Sequence, residues 1–206
     1  ILINPQTKKL GKFSRYVPMY VPVGIGWLAG NLRAHGKTVK IIDENITPVT
    51  DELLAENLKD IKKPYIFGIT CLSAGISRAY ELAKLFKEKY PGSKVIIGGI
   101  HPTVLPDEGL QTGVVDIVAR REAEETIIEL YDAIKNGRDY SNVQGISYVD
   151  GSGKIHHNPE APLPDLEKLP LFPYDMFENH IDRYSFGFIT SARGCPFNCV
   201  FCSQRA

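Results

Sequence analysis

The sequence predicts an α/β fold built on a parallel sheet. Five short runs are rich in Val and Ile and do not alternate in polarity, which is typical of strands buried on both faces. Segments with apolar residues at helical spacing separate these runs. Such an alternation of strand and helix predicts parallel strands joined by right-handed crossovers. The predicted strands are residues 1–4, 38–43, 65–70, 94–99 and 116–120.

Four predicted helices connect these strands, at residues 23–35, 51–62, 76–90 and 122–135. Thr50 predicts an N-cap for the second helix. The acidic start of the fourth helix suits the positive end of a helix dipole. The first connection, residues 5–22, is unusually long, and a loop of that length in a compact domain indicates a functional role.

The composition excludes several classes of function. Lys plus Arg and Asp plus Glu both number 24, so the formal net charge is zero and no nucleic-acid partner held by bulk electrostatics is expected. No apolar run reaches the roughly 18 residues of a membrane-spanning helix, and the opening residues do not have the basic-then-apolar pattern of a secretory leader, so none is expected. Three of the four cysteines lie together near the C-terminus instead of forming a spread disulfide framework. We therefore expect a cytoplasmic protein with reduced thiols and no membrane span.

The pattern changes after residue 140. Residues 145–150 and 154–158 flank a Gly-Ser-Gly turn and predict a β-hairpin. Five prolines then follow between residues 159 and 173 and predict a stiff, extended linker. A new strand is predicted at 186–191, directly before the cysteine-rich loop. The predicted domains are an α/β domain at 1–140, a hairpin and linker at 141–185, and the start of a further domain at 186–206.

The cysteine-rich loop has the spacing C-x3-C-x2-C, formed by Cys195, Cys199 and Cys202. Three soft thiolate ligands suit an iron–sulfur cluster or zinc. A closed structural zinc site requires four ligands, and the nearest further candidate upstream is His180. An iron–sulfur cubane held by three cysteines leaves one iron open to a small molecule. A three-ligand zinc loop is the alternative interpretation.

The segment Arg193-Gly194-Cys195, followed by Cys199 and by Phe201-Cys202, resembles the cluster loop of the radical S-adenosylmethionine (SAM) superfamily. The resemblance implies a [4Fe–4S] cluster on the three cysteines, SAM at the open iron, and Phe201 near the adenine. It also implies a 5′-deoxyadenosyl radical, oxygen sensitivity, and an electron donor such as a flavodoxin or ferredoxin. In that superfamily the loop opens a β/α barrel, so we expect the chain to be an N-terminal fragment with a truncated barrel and no activity of its own.

Ligands of open parallel sheets bind outside the carboxyl ends of the strands. The loops at that edge resemble the cobalamin-binding domain that precedes many radical SAM domains, with matching motifs at residues 22–29, 68–72, 98–103 and 120–126. The resemblance implies a flavodoxin-like (Rossmann-like), doubly wound, five-stranded parallel sheet. The cobalamin contacts that it implies are Val23, Gly26, Thr70, Cys71, Leu72, Ser73, Gly98, Gly99, His101, Glu122 and Glu124.

Two departures from the family pattern affect the predicted pocket. The slot for the Asp-x-His-x-x-Gly loop, residues 21–26, keeps only its glycine, so cobalamin is expected without a lower histidine ligand. In the last loop Arg121 and Ala123 replace two glycines of the relatives. A dinucleotide fingerprint, Gly24-x-Gly26-x-x-Ala29, is also present. It does not follow the first strand directly, as a nucleotide site requires.

These features predict the front part of a cobalamin-dependent radical SAM enzyme that transfers a methyl group to an unactivated centre. Cyclisation or rearrangement is compatible with the same domain pair. The substrate could be a tetrapyrrole, a lipid, a peptide or another small molecule. Two alternatives remain: a radical SAM enzyme whose front domain docks substrate without cobalamin, and a non-catalytic metal- or nucleotide-binding module. The strand-end acids Asp43 and Glu44 are further candidate ligand contacts or solvated side chains.

Overall fold

A computed structural model describes residues 1–7, 18–185, 190, 192–195, 197 and 199–202. Seven strands form one sheet in the order β2-β1-β3-β4-β5-β6-β7. The strands are β1 (Leu2–Asn4), β2 (Ile41–Asp43), β3 (Ile66–Thr70), β4 (Lys94–Gly98), β5 (Ile117–Ala119), β6 (Ile146–Val149) and β7 (Ile155–His157).

The first five strands are parallel in the order 2-1-3-4-5, which confirms the doubly wound prediction. The predicted strand count of five was wrong. The predicted hairpin forms, but β6 pairs antiparallel with β5 and β7 pairs antiparallel with β6, so the hairpin extends the same sheet. This pairing covers the backbone edge that β5 would otherwise expose.

Six α-helices lie among the described residues: α1 (Val23–Ala34), α2 (Asp51–Leu58), α3 (Ile76–Lys89), α4 (Ile100–Val104), α5 (Pro106–Gln111) and α6 (Glu124–Lys135). The Thr50 cap is confirmed, since its hydroxyl accepts a 3.2 Å hydrogen bond from the Leu53 backbone N–H. The sequence missed α4 and α5 because helices of five and six residues are too short to show a helical period.

The core has one apolar layer on each face of the sheet. On one face Phe67 stacks on Phe86 of α3 with the ring centroids 4.1 Å apart. On the other face α1 and α6 pack over Ile96 and Ile117, and Leu130 is completely buried there. The second layer contains the candidate site described below.

The proline-rich segment packs back onto α1. A Cβ added at Gly26 would lie 2.4 Å from the Phe172 ring, and one at Gly30 would lie 3.1 Å from Pro173. A 3₁₀ helix, Tyr174–Arg183, follows and carries the buried Phe177. The linker is therefore attached to the α/β domain along α1.

Two predicted features, a strand and part of a long loop, cannot be compared with the structure. The predicted strand at 186–191 falls almost wholly outside the described residues, as do residues 8–17 of the long first loop. In the described parts of the chain, no helix has the length and apolar character needed to cross a membrane.

Candidate functional site

A cavity of about 280 Å³ lies between the sheet and helices α1 and α6. Small residues of three neighbouring strands, Gly68, Gly98 and Ala119, form part of its lining. Trp27 of α1 and Ile127 of α6 lie on the opposite side. The cavity reaches the carboxyl ends of the strands, where an open parallel sheet binds its ligands.

Glycines keep this region open. A Cβ at Gly68 would lie 2.7 Å from Leu2 Cδ2, and one at Gly98 would lie 3.3 Å from the Ala119 carbonyl oxygen. Gly99 has φ +98°, and its Cβ would lie 2.8 Å from the Cys71 carbonyl oxygen. A side chain at Gly99 is therefore excluded both by the backbone conformation and by the available space.

The polar side of the cavity carries an ion-pair cluster. Arg193 Nη1 lies 2.7 Å from Glu122 Oε2 and 2.5 Å from Glu124 Oε1. The Arg193 guanidinium also lies 5.3 Å from the Trp27 ring centroid, within cation–π range. Glu124 is only 3% exposed, and its Oε2 has no hydrogen-bond partner among the described residues. A buried carboxylate oxygen thus remains available to a donor in the cavity.

The structure divides the predicted cobalamin contacts into two groups. Six line the cavity: Val23, Thr70, Gly98, Gly99, Glu122 and Glu124. Gly26 instead packs under Phe172. The remaining four lie outside the cavity lining, three of them directly after β3 and the fourth in α4: Cys71, Leu72, Ser73 and His101. The sequence predicts Trp27 as a core or pocket-wall residue, and it does line the cavity. Its contact with Arg193 of the cysteine loop was missed, because no local sequence signal connects residues so far apart in the chain.

His101 orders the loops beside the cavity. It is 9% exposed, and its Nδ1 lies 3.0 Å from Ser73 Oγ. Its Nε2 lies 3.4 Å from Glu108 Oε1, which also accepts a hydrogen bond from the Tyr80 hydroxyl. Both ring nitrogens are therefore engaged by protein groups.

The loop after β3 presents one buried thiol and one exposed apolar side chain. Burial, and secondarily the charge of Glu108, raises the pKa of the Cys71 thiol to about 12. Leu72 is 55% exposed, and Ile100 at the start of α4 is 41% exposed. The two side chains provide apolar surface on the loops that follow β3 and β4.

The cysteine loop is accessible. Cys195 and Cys199 are exposed, Cys202 is half-buried, and all three thiols are free. Phe201 is 90% exposed. In the described part of the chain, no three His, Cys, Asp or Glu side chains converge as a metal-binding group. The chemistry of three free thiols nevertheless fits an iron–sulfur cluster.

The strand-end acids form structural contacts. Asp43 Oδ1 accepts hydrogen bonds from Asn4 Nδ2 and from the side chain and backbone of Asn45. Glu44 accepts two hydrogen bonds from Arg78, at 2.7 and 3.0 Å. Burial acts to raise the pKa of Glu44, but the hydrogen bonds from Arg78 and two backbone N–H groups lower it overall. The Glu44–Arg78 partnership has no local sequence signal, because Arg78 lies 34 residues beyond Glu44.

The B12 binding domain family matches residues 16–131, more than half of the chain. The chain belongs to the B12-binding domain family. An uncharacterized methyltransferase of Pyrococcus horikoshii is 35% identical over 89% of this chain and 40% of its own length. The anaerobic magnesium-protoporphyrin IX monomethyl ester cyclase of Rubrivivax gelatinosus is 32% identical over 89% of this chain and 35% of its own length. The chain thus spans less than half of these curated relatives.

Solved structures show the same fold. The cobalamin-dependent SAM radical enzyme OxsB, with aqua-cobalamin and SAM bound, matches 85% of this chain and 24% of its own at a TM-score of 0.68 and 24% identity. The radical SAM methyltransferase TsrM of Kitasatospora setae, with cobalamin and a [4Fe–4S] cluster bound, matches 80% of this chain and 29% of its own at a TM-score of 0.60 and 19% identity. The predicted resemblance to cobalamin-binding radical SAM proteins is confirmed.

Proposed function

We propose that this chain is the cobalamin-presenting and cluster-bearing part of a radical SAM enzyme that transfers methyl groups. The observation that carries the proposal is the glycine-lined cavity at the carboxyl edge of a B12-binding domain, with the cysteine-loop residue Arg193 in its wall. The contact of Arg193 with the cavity wall supports a cobalamin site and a cluster site that lie next to each other.

The cavity fits part of cobalamin and not the whole molecule. Its volume of about 280 Å³ lies just below the roughly 300–1,000 Å³ of small-molecule sites. We assign it to the nucleotide tail. The corrin ring would then lie outside the cavity, against apolar surface such as Leu72 and Ile100. Glu124 Oε2 would accept a hydrogen bond from a hydroxyl or amide group of the ligand.

No histidine of the described cavity lining is available as a lower cobalt ligand. Val23 occupies the histidine position of the Asp-x-His-x-x-Gly slot. His101 is the histidine next to the double glycine, and Ser73 and Glu108 engage its two nitrogens. We therefore propose that cobalamin binds without a histidine below the cobalt.

Cys195, Cys199 and Cys202 would hold the cluster, and the exposed ring of Phe201 would contact the adenine of SAM. When bound, the [4Fe–4S] cluster supplies the electron that cleaves SAM, and methylcobalamin supplies the methyl group. The chain's own thiols must be reduced and deprotonated to ligate iron. The free state of all three thiols supports this role.

We favour methyl transfer over cyclisation because the relative with 35% identity is named a methyltransferase, whereas the relative named a cyclase is 32% identical. The Pyrococcus horikoshii relative is named a methyltransferase and the Rubrivivax gelatinosus relative a cyclase that acts on a tetrapyrrole ester. We propose a small-molecule substrate whose class is selected by the remaining part of the enzyme. We also propose that a flavodoxin or ferredoxin delivers the electron to the enzyme.

An anaerobic titration with hydroxocobalamin tests the pocket. Trp27 is the single tryptophan of the chain and lines the cavity, so its fluorescence should be quenched as cobalamin binds, and cobalamin should co-elute in gel filtration. Ala119→Leu fills the cavity and should weaken binding at least about tenfold, since a steric clash in a ligand site costs over 1 kcal/mol. Ala55→Leu, on the exposed face of α2, is the matched control and should bind as the parent chain does.

Reconstitution with iron and sulfide tests the cluster separately. The parent chain should take up about four irons, and Cys199→Ser should lose them, because three thiolates are needed to hold the cubane. Cys71→Ser is the control and should assemble the cluster normally. One zinc and no iron would support the structural-zinc alternative, whereas iron without cobalamin retention would support a front domain that binds no cobalamin.

A further inference from the structure

Arg193 connects the cysteine loop to the cavity. It lies two residues before Cys195, and its side chain is 18% exposed while Cys195 itself is exposed. Gly194 between them has φ +79°, a conformation that favours glycine. This turn allows Arg193 to enter the cavity wall while Cys195 stays exposed.

The ion pair between Arg193 and Glu124 is largely buried, so each charge needs the other. Glu124 has a side chain that is 4% exposed, and a carboxylate so buried needs a counter-charge. Arg193 supplies it and contacts Glu122 with the same nitrogen. The guanidinium also lies over the Trp27 ring. Three groups from α1, α6 and the loop before α6 therefore fix one side chain of the cysteine loop.

We propose that Arg193 is a positioning residue that couples cobalamin in the cavity to the placement of the cluster loop, an inference that rests on the proposed cobalamin function. Arg193 is docked when its guanidinium contacts Glu124 and Trp27, which also line the cavity. A ligand in the cavity would contact these same residues and would therefore stabilise the docked position of Arg193. Coupling of this kind is reciprocal: the docked loop must strengthen cobalamin binding by the same factor as cobalamin strengthens docking.

Limited trypsin digestion measures the docking directly. Trypsin cuts the Arg193–Gly194 bond only when the Arg193 side chain enters the specificity pocket of trypsin. An arginine that is docked in the cavity wall is therefore protected from cleavage. Cleavage after Lys168, whose side chain is 83% exposed, is the internal reference. In the ligand-free chain, Glu122→Gln combined with Glu124→Gln should raise the cleavage rate at Arg193 about tenfold relative to Lys168, since cleavage follows the population of the open form. Cyanocobalamin should slow cleavage at Arg193 in the parent chain about fivefold.

The reciprocal measurement is cobalamin affinity in the Arg193→Gln variant. The dissociation constant for cyanocobalamin should rise about fivefold. Arg33→Gln removes a surface ion pair with Asp175 and is the matched control, because that pair lies on the linker side of α1. It should leave the affinity unchanged.

A second variant separates positioning from stability. Arg193→Gln leaves Glu124 buried without its counter-charge and can destabilise the fold. Adding Glu124→Gln removes that charge and should restore the thermal midpoint. Cobalamin affinity in the double variant should stay about fivefold weaker than in Glu124→Gln alone, which carries the same change at the proposed ligand contact but keeps Arg193 with Glu122 and Trp27. Full recovery of affinity together with stability would reduce Arg193 to a structural counter-ion and overturn the inference.

The outcomes separate the inference from the function beneath it. No cobalamin binding to the parent chain contradicts the proposed function, and the ligand-free digestion still tests whether the carboxylates dock Arg193. Cobalamin binding with an unchanged rate of cleavage at Arg193, or with parent-like affinity in Arg193→Gln, overturns the coupling and leaves the cobalamin function intact.

Discussion

The Tyr184 hydroxyl donates a 3.0 Å hydrogen bond to Asp43 Oδ2 across 141 residues of chain. Both residues are buried, and Asp43 ends the edge strand β2. Burial, followed by the charge and hydrogen bond of Asp43, raises the pKa of Tyr184, so the phenol remains protonated and remains a donor. This contact fixes the end of the linker to the edge of the sheet, shortly before the cysteine loop.

Tyr184→Phe should destabilise the chain by about 1.5–2 kcal/mol, the lower part of the range for a hydrogen bond to a charged group, because Asp43 keeps its bonds from Asn4 and Asn45. Urea unfolding followed by circular dichroism measures this change. Tyr131→Phe is the control, since the Tyr131 ring keeps its contacts with lysine ammonium groups. Equal stability of the two variants would contradict a structural role for the linker contact.

Two glycines of α1 should respond to alanine with opposite signs. Gly24→Ala should stabilise the chain by about 0.5–1 kcal/mol, because no atom lies within 4 Å of the new Cβ and alanine favours a helix. Gly26→Ala should destabilise it by about 1–3 kcal/mol, the usual cost of overpacking, because the Phe172 ring must move.

The Trp27 emission gives a second readout of the Gly26 variant. Phe172 contacts the Trp27 ring edge-on with the centroids 5.6 Å apart, so a displaced Phe172 should shift the emission. Gly24→Ala should leave the emission as it is in the parent chain. Stabilisation by both substitutions would mean that the linker does not pack on α1 in solution.

Features of the fold that depend on neighbouring residues in the chain could be predicted from the sequence. Unbroken Val and Ile runs specified β1 to β5, and Thr50 specified the start of α2. The pairing of β6 with β5 depends on an edge that only the folded sheet creates, so sequence reasoning assigned the hairpin to the linker. The same limit applies at the site: the family resemblance implied Thr70 and Gly98 as ligand contacts, and both line the cavity, but the packing of Phe172 against Gly26 required the fold.

The four thiols should react in two classes. Cys71 has a pKa raised to about 12 by burial, so only about one thiol in 10⁴ is ionised near pH 8. Titration with Ellman's reagent should therefore modify Cys195, Cys199 and Cys202 in the native chain, and Cys71 only after unfolding. Cys71→Ser should leave the native count unchanged. Four rapid thiols in the native chain would contradict the buried position of Cys71.

The ion pair between Glu44 and Arg78 should make stability depend on pH in the acid range. Glu44 has a side chain that is 2% exposed, and its folded pKa lies below its ordinary value of 4.5. A depressed carboxyl pKa stabilises the fold above the unfolded pKa, and this contribution disappears as the pH falls through the folded pKa. At neutral pH Glu44→Gln should cost about 2 kcal/mol, less than a fully buried pair because Arg78 is 36% exposed.

Urea midpoints of the parent chain and of Glu44→Gln should therefore differ most above the ordinary carboxyl pKa of 4.5 and converge as the pH falls through the lower folded pKa of Glu44, where the parent carboxyl becomes protonated. Glu88→Gln removes an exposed carboxyl that lies 3.9 Å from Lys84, and it should follow the parent chain throughout, because surface pairs of this kind contribute little. A constant difference between Glu44→Gln and the parent chain across this range would show that Glu44 acts through its shape and neutral hydrogen bonds, and that its charge adds nothing to the contact with Arg78.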